Sequence, residues 1–450
     1  MSDMKSVNND LWKSRVGFAL AAMGSAVGLG NIWRFPYITG EYGGATFILV
    51  YLFIVLFIGI PLLLSEFSIG KAGQMDAVGS FRKLAPNTKW HLTGLMGVIG
   101  GILILSFYSV VSGWSLYYLY QYVIGGYWKM PNGGFEAAFG NFITSPIQPL
   151  FWQGLFLALV IFVITKGVRK GIEKANLIFM PALAILMIIL AIYGMTLNNG
   201  MEGVKFLFSP DWSQLKNPQI YLVALGQAFF SLSVGVCGML TYASYLKEKD
   251  KLPTATVTIG LSDTLFAIIA GVMIFPAVFS YGLNVGEGPP LVFITLPTVF
   301  ANMPFGGIIG IIFFALLAIA AYTSALSLLE LPVSYLKRTV GMTRNGATWL
   351  CGIIIFIIGM AASFGYGIWS GITIGDKNIL DILDYITGNI MLPLGGLLIT
   401  LFVGWYLKPE QAIKYSEIEN ATLQKIWYYI VKFIIPIMVV LIALIALEII

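Results

Sequence analysis

Apolar residues run along this 450-residue chain in long blocks separated by short polar stretches. A membrane-spanning helix needs roughly 17–25 mostly apolar residues. Eleven blocks meet that length: 14–38, 43–71, 90–124, 149–166, 171–195, 217–246, 254–281, 305–337, 346–364, 379–406 and 426–449. The pattern predicts an all-α polytopic membrane protein with 11 transmembrane helices. Several blocks exceed what an upright helix requires, so tilted or interrupted spans are expected.

Two blocks carry their own interruptions. The first contains "GSAVGLGN" (Gly24 to Asn31), and the sixth reads "GQAFFSLSVGVCG" (Gly226 to Gly238). Glycine weakens a helix interior by about 1 kcal/mol relative to alanine. Backbone left unpaired in hydrocarbon costs several kcal/mol more per group, so such breaks belong beside a polar cavity. Close helix packing through small residues is the simpler reading of either block alone. The breaks nevertheless fall at matching places if 14–195 and 217–406 are two halves, with 1–13 a polar leader and 426–449 an added helix. Matched interruptions predict a 5+5 inverted repeat whose site lies at mid-membrane. Unwound carbonyls suit a cation, and the amides that open the next half-helix suit a carboxylate. That pairing fits a zwitterionic amino acid travelling with a hard cation. Asn31, Ser231, Ser233, Thr323 and Ser324 supply further oxygen atoms.

Composition agrees with a membrane protein. Charged residues make up 10% of the chain, against about 25% in soluble domains, and mean hydropathy is +0.86. The first eleven residues are largely polar, so no short cleavable signal is expected. Cys237 and Cys351 lie in apolar blocks and suggest neither a disulfide nor a metal site. The single His91 falls at the edge of a loop and reads as an interfacial side chain. Counting alternate loops places 20 of the 26 Lys and Arg residues on the side of the N-terminus, in clusters such as Lys166, Arg169, Lys170 and Lys174. The positive-inside rule then predicts a cytoplasmic N-terminus and, with eleven spans, an extracellular C-terminus. The long outer loops would be 125–148, 196–216 and 282–304.

"RVGFALAAMGSAVGLGNIWRFPY" (Arg15 to Tyr37) resembles the first helix of the neurotransmitter:sodium symporter family. "GQAFFSLS" and "TYASYL" resemble its sixth helix, and "AAYTSALSLLE" (Ala320 to Glu330) its eighth. The resemblance covers helices one to ten. It implies the leucine transporter-like fold and, from the eleven-helix count, the bacterial members that carry hydrophobic or aromatic amino acids. The implied location is the bacterial plasma membrane.

The resemblance also implies site residues. A first sodium would be held by the carbonyls of Ala26 and Ser231, the side chains of Asn31 and Ser231, and the substrate carboxylate. A second would be held by carbonyls of Gly24, Val27 and Ala320 with the hydroxyls of Thr323 and Ser324. The substrate carboxylate would meet amides near Leu29 and Gly30 and the Tyr108 hydroxyl. Its amino group would meet carbonyls of Ala26, Phe230 and Ser233. Ile104, Tyr108, Phe230, Val236, Ser324 and Leu328 would line the side-chain pocket. Tyr108 and Phe230 would form an outer lid beneath an Arg34–Asp384 ion pair. Monoamine-carrying relatives place Asp where this chain has Gly28, which implies cargo that brings its own carboxylate. Val236 is small where the leucine-selective relative has a large aromatic, which implies room for larger side chains.

Asp263, in "GLSDTLFA", is an ionisable residue within a span and so a functional candidate. Leucine-carrying relatives place a sodium-ligating Asn there and a Glu four residues later, where this chain has Ala267. The charge has moved one helical turn onto the sodium-ligating position. Chloride-dependent relatives recruit an anion near the positions of Tyr51, Gln227 and Ser231. A built-in carboxylate predicts no chloride requirement, and also a group that can take up a proton on the empty return. Glu66, in "PLLLSEFSIG", is expected to support the unwound sixth helix. Gly171 and Pro181 match the family's Gly-x9-Pro spacing, which implies a fifth helix that opens a path for the second sodium. Trp12 is expected to plug the cytoplasmic side. The family's usual inner ion pair is not expected, since Asn9 stands at one position and helix eight ends in "YLKRTVG". Glu330 and Asp381 are weaker candidates, Asp381 reading also as a helix cap.

These expectations describe a Na+-coupled importer of hydrophobic or aromatic L-amino acids, with a small molecule and the lipid bilayer as its partners. No nucleic acid and no obligatory protein partner are expected. A proton-coupled permease of the same architecture is the nearest rival. An occluded mid-membrane site argues against a channel. The absence of paired His, HExxH and GxSxG motifs argues against an enzyme.

Overall fold

The computed structural model describes residues 11–131, 134–247, 250–282, 291–375 and 377–446. Expectations for Lys5, Asn9, Lys249 and the extreme ends of the chain lie outside the described residues.

Helix occupies every one of the eleven apolar blocks. Among the described residues nine are continuous and long enough to span a bilayer: Ala45–Gly73, His91–Val123, Gln148–Thr165, Val168–Met195, Leu252–Ser280, Gly306–Arg338, Arg344–Phe364, Ile379–Tyr406 and Ala421–Ile442. They are numbered here, in chain order, as spans two to five and seven to eleven. The first span is Arg15–Ala26 followed by Gly30–Glu41, bent by 48° at the break. The sixth is Gln219–Ser231 followed by Gly238–Ala243. By length alone that sixth pair fails as a crossing, because the break consumes its middle.

The third and eighth spans make the most extensive helix–helix contact in the molecule. Gly101 lets them approach, since a Cβ there would stand 2.8 Å from the Leu331 side chain. The broken spans lie against this scaffold. Apolar side chains such as Phe53, Ile185, Leu265 and Ile357 point outward and are more than half exposed, as lipid-facing residues are.

The stretches expected as outer loops contain short helices, Gly134–Thr144, Gly200–Phe208 and Leu296–Asn302. The first buries Phe135, Phe139 and Phe142. Their spacing of four and three residues sets them on one helical face. Phe139 stacks on Phe293, and Phe142 on Tyr117, which covers the outer end of the scaffold.

Candidate functional site

The first break begins where Val27 leaves helical geometry at ψ 97°, just after Ala26. Helix resumes at Gly30 as a single wide π-turn through Arg34. Across the gap the Gly28 amide donates to Asn31 Oδ1 at 3.2 Å. The second break spans residues 232–237, and three of its residues have left-handed backbone: Ser233, Gly235 and Cys237. Gly235 needs to be glycine on two counts. Its φ is +95°, and a Cβ would stand 2.3 Å from the Leu392 carbonyl oxygen.

Glu66 lies against the second break. Its carboxylate accepts from the Gly235 amide at 2.6 Å and the Leu240 amide at 3.2 Å, and it is fully buried. Without it those amides would face a dry interior. The Glu66→Ala variant is expected to lose about 2–5 kcal/mol, since each buried donor left unpaired costs about 1–3 kcal/mol. Thermal denaturation of the detergent-solubilised protein measures this, and an unchanged melting temperature would contradict the assigned role.

Between the breaks lies a cavity of about 40 Å³, lined by Ser25, Ala26, Gly28, Gly30, Ile104, Tyr108, Phe230, Ser233, Val236, Ser324, Leu328 and Leu392. Most of the expected substrate residues meet here. Two do not line it: Leu29 faces outward, and Ser231 turns towards Asp263. Leu392 was not anticipated. It comes from the tenth span, whose sequence carries no local mark of such a role. The Tyr108 hydroxyl accepts from the Leu29 amide at 3.3 Å.

Above this cavity lies a second one of about 180 Å³, lined by Trp33, Arg34, Tyr37, Tyr108, Trp114, Phe230, Asp384 and others. Tyr108 and Phe230 line both cavities, which puts the expected lid between them. The expected ion pair is corrected. Arg34 and Asp384 both border the outer cavity, but no ion pair joins them among the described residues. The Arg34 guanidinium instead lies 5.3 Å from the centre of the Phe230 ring, a cation–π arrangement.

Asp263 is fully buried, with three side chains converging on it. Ser231 Oγ donates to Oδ2 at 2.6 Å, Asn31 Nδ2 to Oδ1 at 2.8 Å and the Tyr51 hydroxyl to Oδ2 at 3.3 Å. Asn31 Nδ2 also reaches Ser231 Oγ at 3.1 Å. Gln227, beside this group, donates to the Gly30 carbonyl at 3.0 Å. Residues from spans one, two, six and seven therefore meet at one carboxylate. Charge-assisted bonds of this kind are roughly twice as strong as neutral ones.

On the opposite side of the first break, Ser324 Oγ lies 3.2 Å from the carbonyl oxygens of both Gly24 and Ser25. Thr323 Oγ1 is 3.0 Å from the Ala320 carbonyl. Ser25 and Ser327 hydroxyls bond at 2.7 Å. The expected second-cation residues from spans one and eight are thus neighbours.

The end of the molecule that holds Trp12 is closed by contacts of which the sequence singled out Trp12 and Glu330 but not Glu173 or Asp250. Trp12 is buried against Phe18, Tyr242 and Tyr245, and its Nε1 donates to the Tyr242 carbonyl at 2.9 Å. Glu173, two residues past Gly171, accepts from the Lys13 amide at 2.7 Å and from the Ser14 hydroxyl at 2.9 Å. Arg15 pairs with Asp250 at 3.0 Å. Glu330 pairs with Arg344 and accepts from the Tyr245 hydroxyl at 2.6 Å. Asp381 forms a reciprocal cap with Asn378, the helix-capping role expected of it. Cys237 and Cys351 are buried free thiols.

A profile described as the sodium:neurotransmitter symporter family matches residues 9–131 and 147–450. The chain is 39% identical to the Bacillus subtilis sodium-dependent transporter YhdH, over 99% of this chain and 98% of that one. It is 35% identical to a sodium-dependent transporter of Haemophilus influenzae, over 96% of each. Among solved structures, MhsT in complex with L-phenylalanine superposes with a TM-score of 0.92 at 50% identity, covering 97% of this chain and 99% of that chain.

Proposed function

The chain belongs to the sodium:neurotransmitter symporter family, a family of transporters and not of enzymes, and from that premise we propose that it imports hydrophobic or aromatic L-amino acids together with Na+. One observation carries the reading. A small cavity with apolar walls (Ile104, Val236, Leu328 and Leu392) is bounded by both helix breaks. Its polar end offers backbone groups and the Tyr108 hydroxyl, and among the described residues no charged side chain lines it. Such a site suits a zwitterion with an apolar side chain. The phenylalanine bound by MhsT supports the same class of cargo.

In the proposed cycle the cargo carboxylate meets the amides at Leu29 and Gly30 and the Tyr108 hydroxyl. Its ammonium group meets carbonyls of Ala26, Phe230 and Ser233. The first sodium is held by Ala26, Asn31, Ser231 and the cargo carboxylate, with Asp263 adjacent. The second is held by Gly24, Val27, Ala320, Thr323 and Ser324. Because the cargo completes the first ion's shell, each raises the other's affinity by the same factor. The halves 14–195 and 217–406 act as inverted repeats, with spans one, two, six and seven rocking against three, four, eight and nine. The N-terminus lies in the cytoplasm and the C-terminus outside a bacterial plasma membrane. Asp263 supplies the negative charge that chloride supplies elsewhere, and on the empty return it can carry a proton outward.

Equilibrium binding of radiolabelled phenylalanine, leucine, tyrosine and tryptophan to the purified protein tests this. Binding is expected in Na+ and not in choline, with phenethylamine failing to compete. Binding indifferent to Na+ but enhanced by acid pH would support the proton-coupled rival instead.

A further inference from the structure

The fifth span holds a polar group that neither the sequence reading nor the proposed cycle uses. Asn176 is fully buried, midway between Gly171 and Pro181. Its Nδ2 donates to the Ile172 carbonyl one turn earlier at 3.0 Å. Its Oδ1 has no hydrogen-bond partner among the described residues. A buried carbonyl oxygen without a donor is unfavourable unless something else satisfies it.

The direction in which that oxygen points is informative. A Cβ on Gly24 would stand 2.0 Å from Asn176 Oδ1 and 3.1 Å from Thr323 Cβ. The Asn176 oxygen therefore occupies the space a side chain at position 24 would need, on the same side of Gly24 as Thr323. Gly24 and Ser25 carbonyls, Thr323 and Ser324 hydroxyls and the Ala320 carbonyl are already gathered there. Every one of these groups is an oxygen. The Thr323 and Ser324 hydroxyls donate to these carbonyls, and a hard monovalent cation satisfies the oxygen lone pairs that remain, Asn176 Oδ1 among them, as water or a donor side chain otherwise would.

We propose that Asn176 Oδ1 belongs to the second sodium site and ties that ion to the fifth span. This rests on the sodium-coupled reading above and adds a residue to it. The consequence is mechanical. An ion drawn to Oδ1 polarises the amide and strengthens the Nδ2 bond to Ile172, since linked hydrogen bonds reinforce one another. Ile172 lies in the wide turn Val168–Glu173, which also carries Gly171 and the Glu173 carboxylate that holds Lys13 and Ser14. Gly171 is packed directly on the fourth span, where a Cβ would stand 2.2 Å from the Val163 carbonyl. Pro181, ten residues beyond Gly171, removes one more backbone bond from the same span. Sodium occupancy at Asn176 thus orders the turn that anchors the inner end of the first span, and loss of the ion loosens it.

The test uses the full chain purified in detergent, with 22Na+ binding and sodium-induced thermal stabilisation as readouts. Asn176→Leu removes oxygen and donor together. It is expected to raise the half-saturating sodium concentration of the weaker binding phase by ~10-fold and to shrink the sodium-induced stabilisation accordingly. Asn176→Asp keeps the oxygen but loses the donor to Ile172. It is expected to bind sodium at least as tightly as the parent chain. If Asn176 only caps Ile172, the Asp variant will be as impaired as the Leu variant, and equal impairment overturns the proposal. Parental sodium dependence in Asn176→Leu overturns it as well. Thr323→Ala separates this outcome from failure of the underlying reading: if neither the parent chain nor Thr323→Ala shows sodium-dependent stabilisation, the sodium-coupled reading itself fails.

Discussion

Replacing Asp263 with serine is expected to make uptake depend on chloride, given the proposed role of this carboxylate as the built-in negative charge. The carboxylate sits where Asn31, Ser231 and Tyr51 side chains converge, fully buried. A cation placed beside it gains about 4 kcal/mol from a unit charge at about 4 Å in a protein of effective dielectric 20. Removing that charge leaves the first sodium uncompensated, while the Tyr51 and Ser231 hydroxyls keep their place as donors. A third hydroxyl at position 263 completes a small anion site. Uptake by Asp263→Ser in gluconate medium is therefore expected to fall at least ~100-fold, the equivalent of about 2.7 kcal/mol, and to recover in part with chloride. Uptake equal to that of the parent chain in both media would remove Asp263 from the charge balance.

The second large effect is expected at Gly28. A Cβ there would stand 2.4 Å from Ser324 Oγ and 3.0 Å from the Tyr108 hydroxyl. Even alanine must displace the Ser324 hydroxyl that donates to the Gly24 and Ser25 carbonyls, and it crowds the Tyr108 hydroxyl that accepts from the Leu29 amide. Those hydroxyls serve the second cation and the cargo carboxylate in the proposed cycle. Overpacking of this kind costs about 1–3 kcal/mol, so Gly28→Ala is expected to lose up to ~100-fold in amino acid affinity, measured as sodium-dependent phenylalanine binding. Gly28→Asp places a carboxylate where the cargo's own would lie. It is expected to abolish phenylalanine binding and to admit phenethylamine. Undiminished phenylalanine binding by Gly28→Ala would mean that the carboxylate lies elsewhere.

Much of this molecule is written locally in its sequence. Long apolar runs mark the spans because hydrocarbon tolerates little else. The two breaks are visible because Gly24, Gly28, Gly30 and Gly235 weaken helix where a span can least accept it. Asp263 and Glu66 stand out because a carboxylate is expensive in a span, and the structure gives each of them donors. The helix Gly134–Thr144 is expected as part of a loop, and the structure shows Phe135, Phe139 and Phe142 buried along one of its faces.

Other features depend on pairs distant in the chain and leave no local trace. Asn176 looks like an ordinary polar residue until Gly24 is placed against it. Leu392 joins the cavity only because the tenth span crosses the sixth-helix break at Gly235. The inner closure illustrates the same limit. With the family's usual inner ion pair not expected, nothing in the sequence singled out Glu173 or Asp250, yet Glu173 holds the start of the first span and Asp250 pairs with Arg15. Arg34 and Asp384 show the converse. Both residues are where the motif puts them, but an ion pair across a vestibule depends on how far the lid has closed. Residue identity alone does not set that.

The central claim is that a sodium gradient drives amino acid accumulation through the cavity between the breaks. Its most direct measurement is uptake of radiolabelled phenylalanine into proteoliposomes of the purified full chain, with a sodium gradient imposed and chloride replaced by gluconate. Transient accumulation above equilibrium, collapsing when sodium is equalised across the membrane, is the predicted result. Equal uptake with sodium replaced by choline, or accumulation that appears only with an imposed proton gradient, would contradict it.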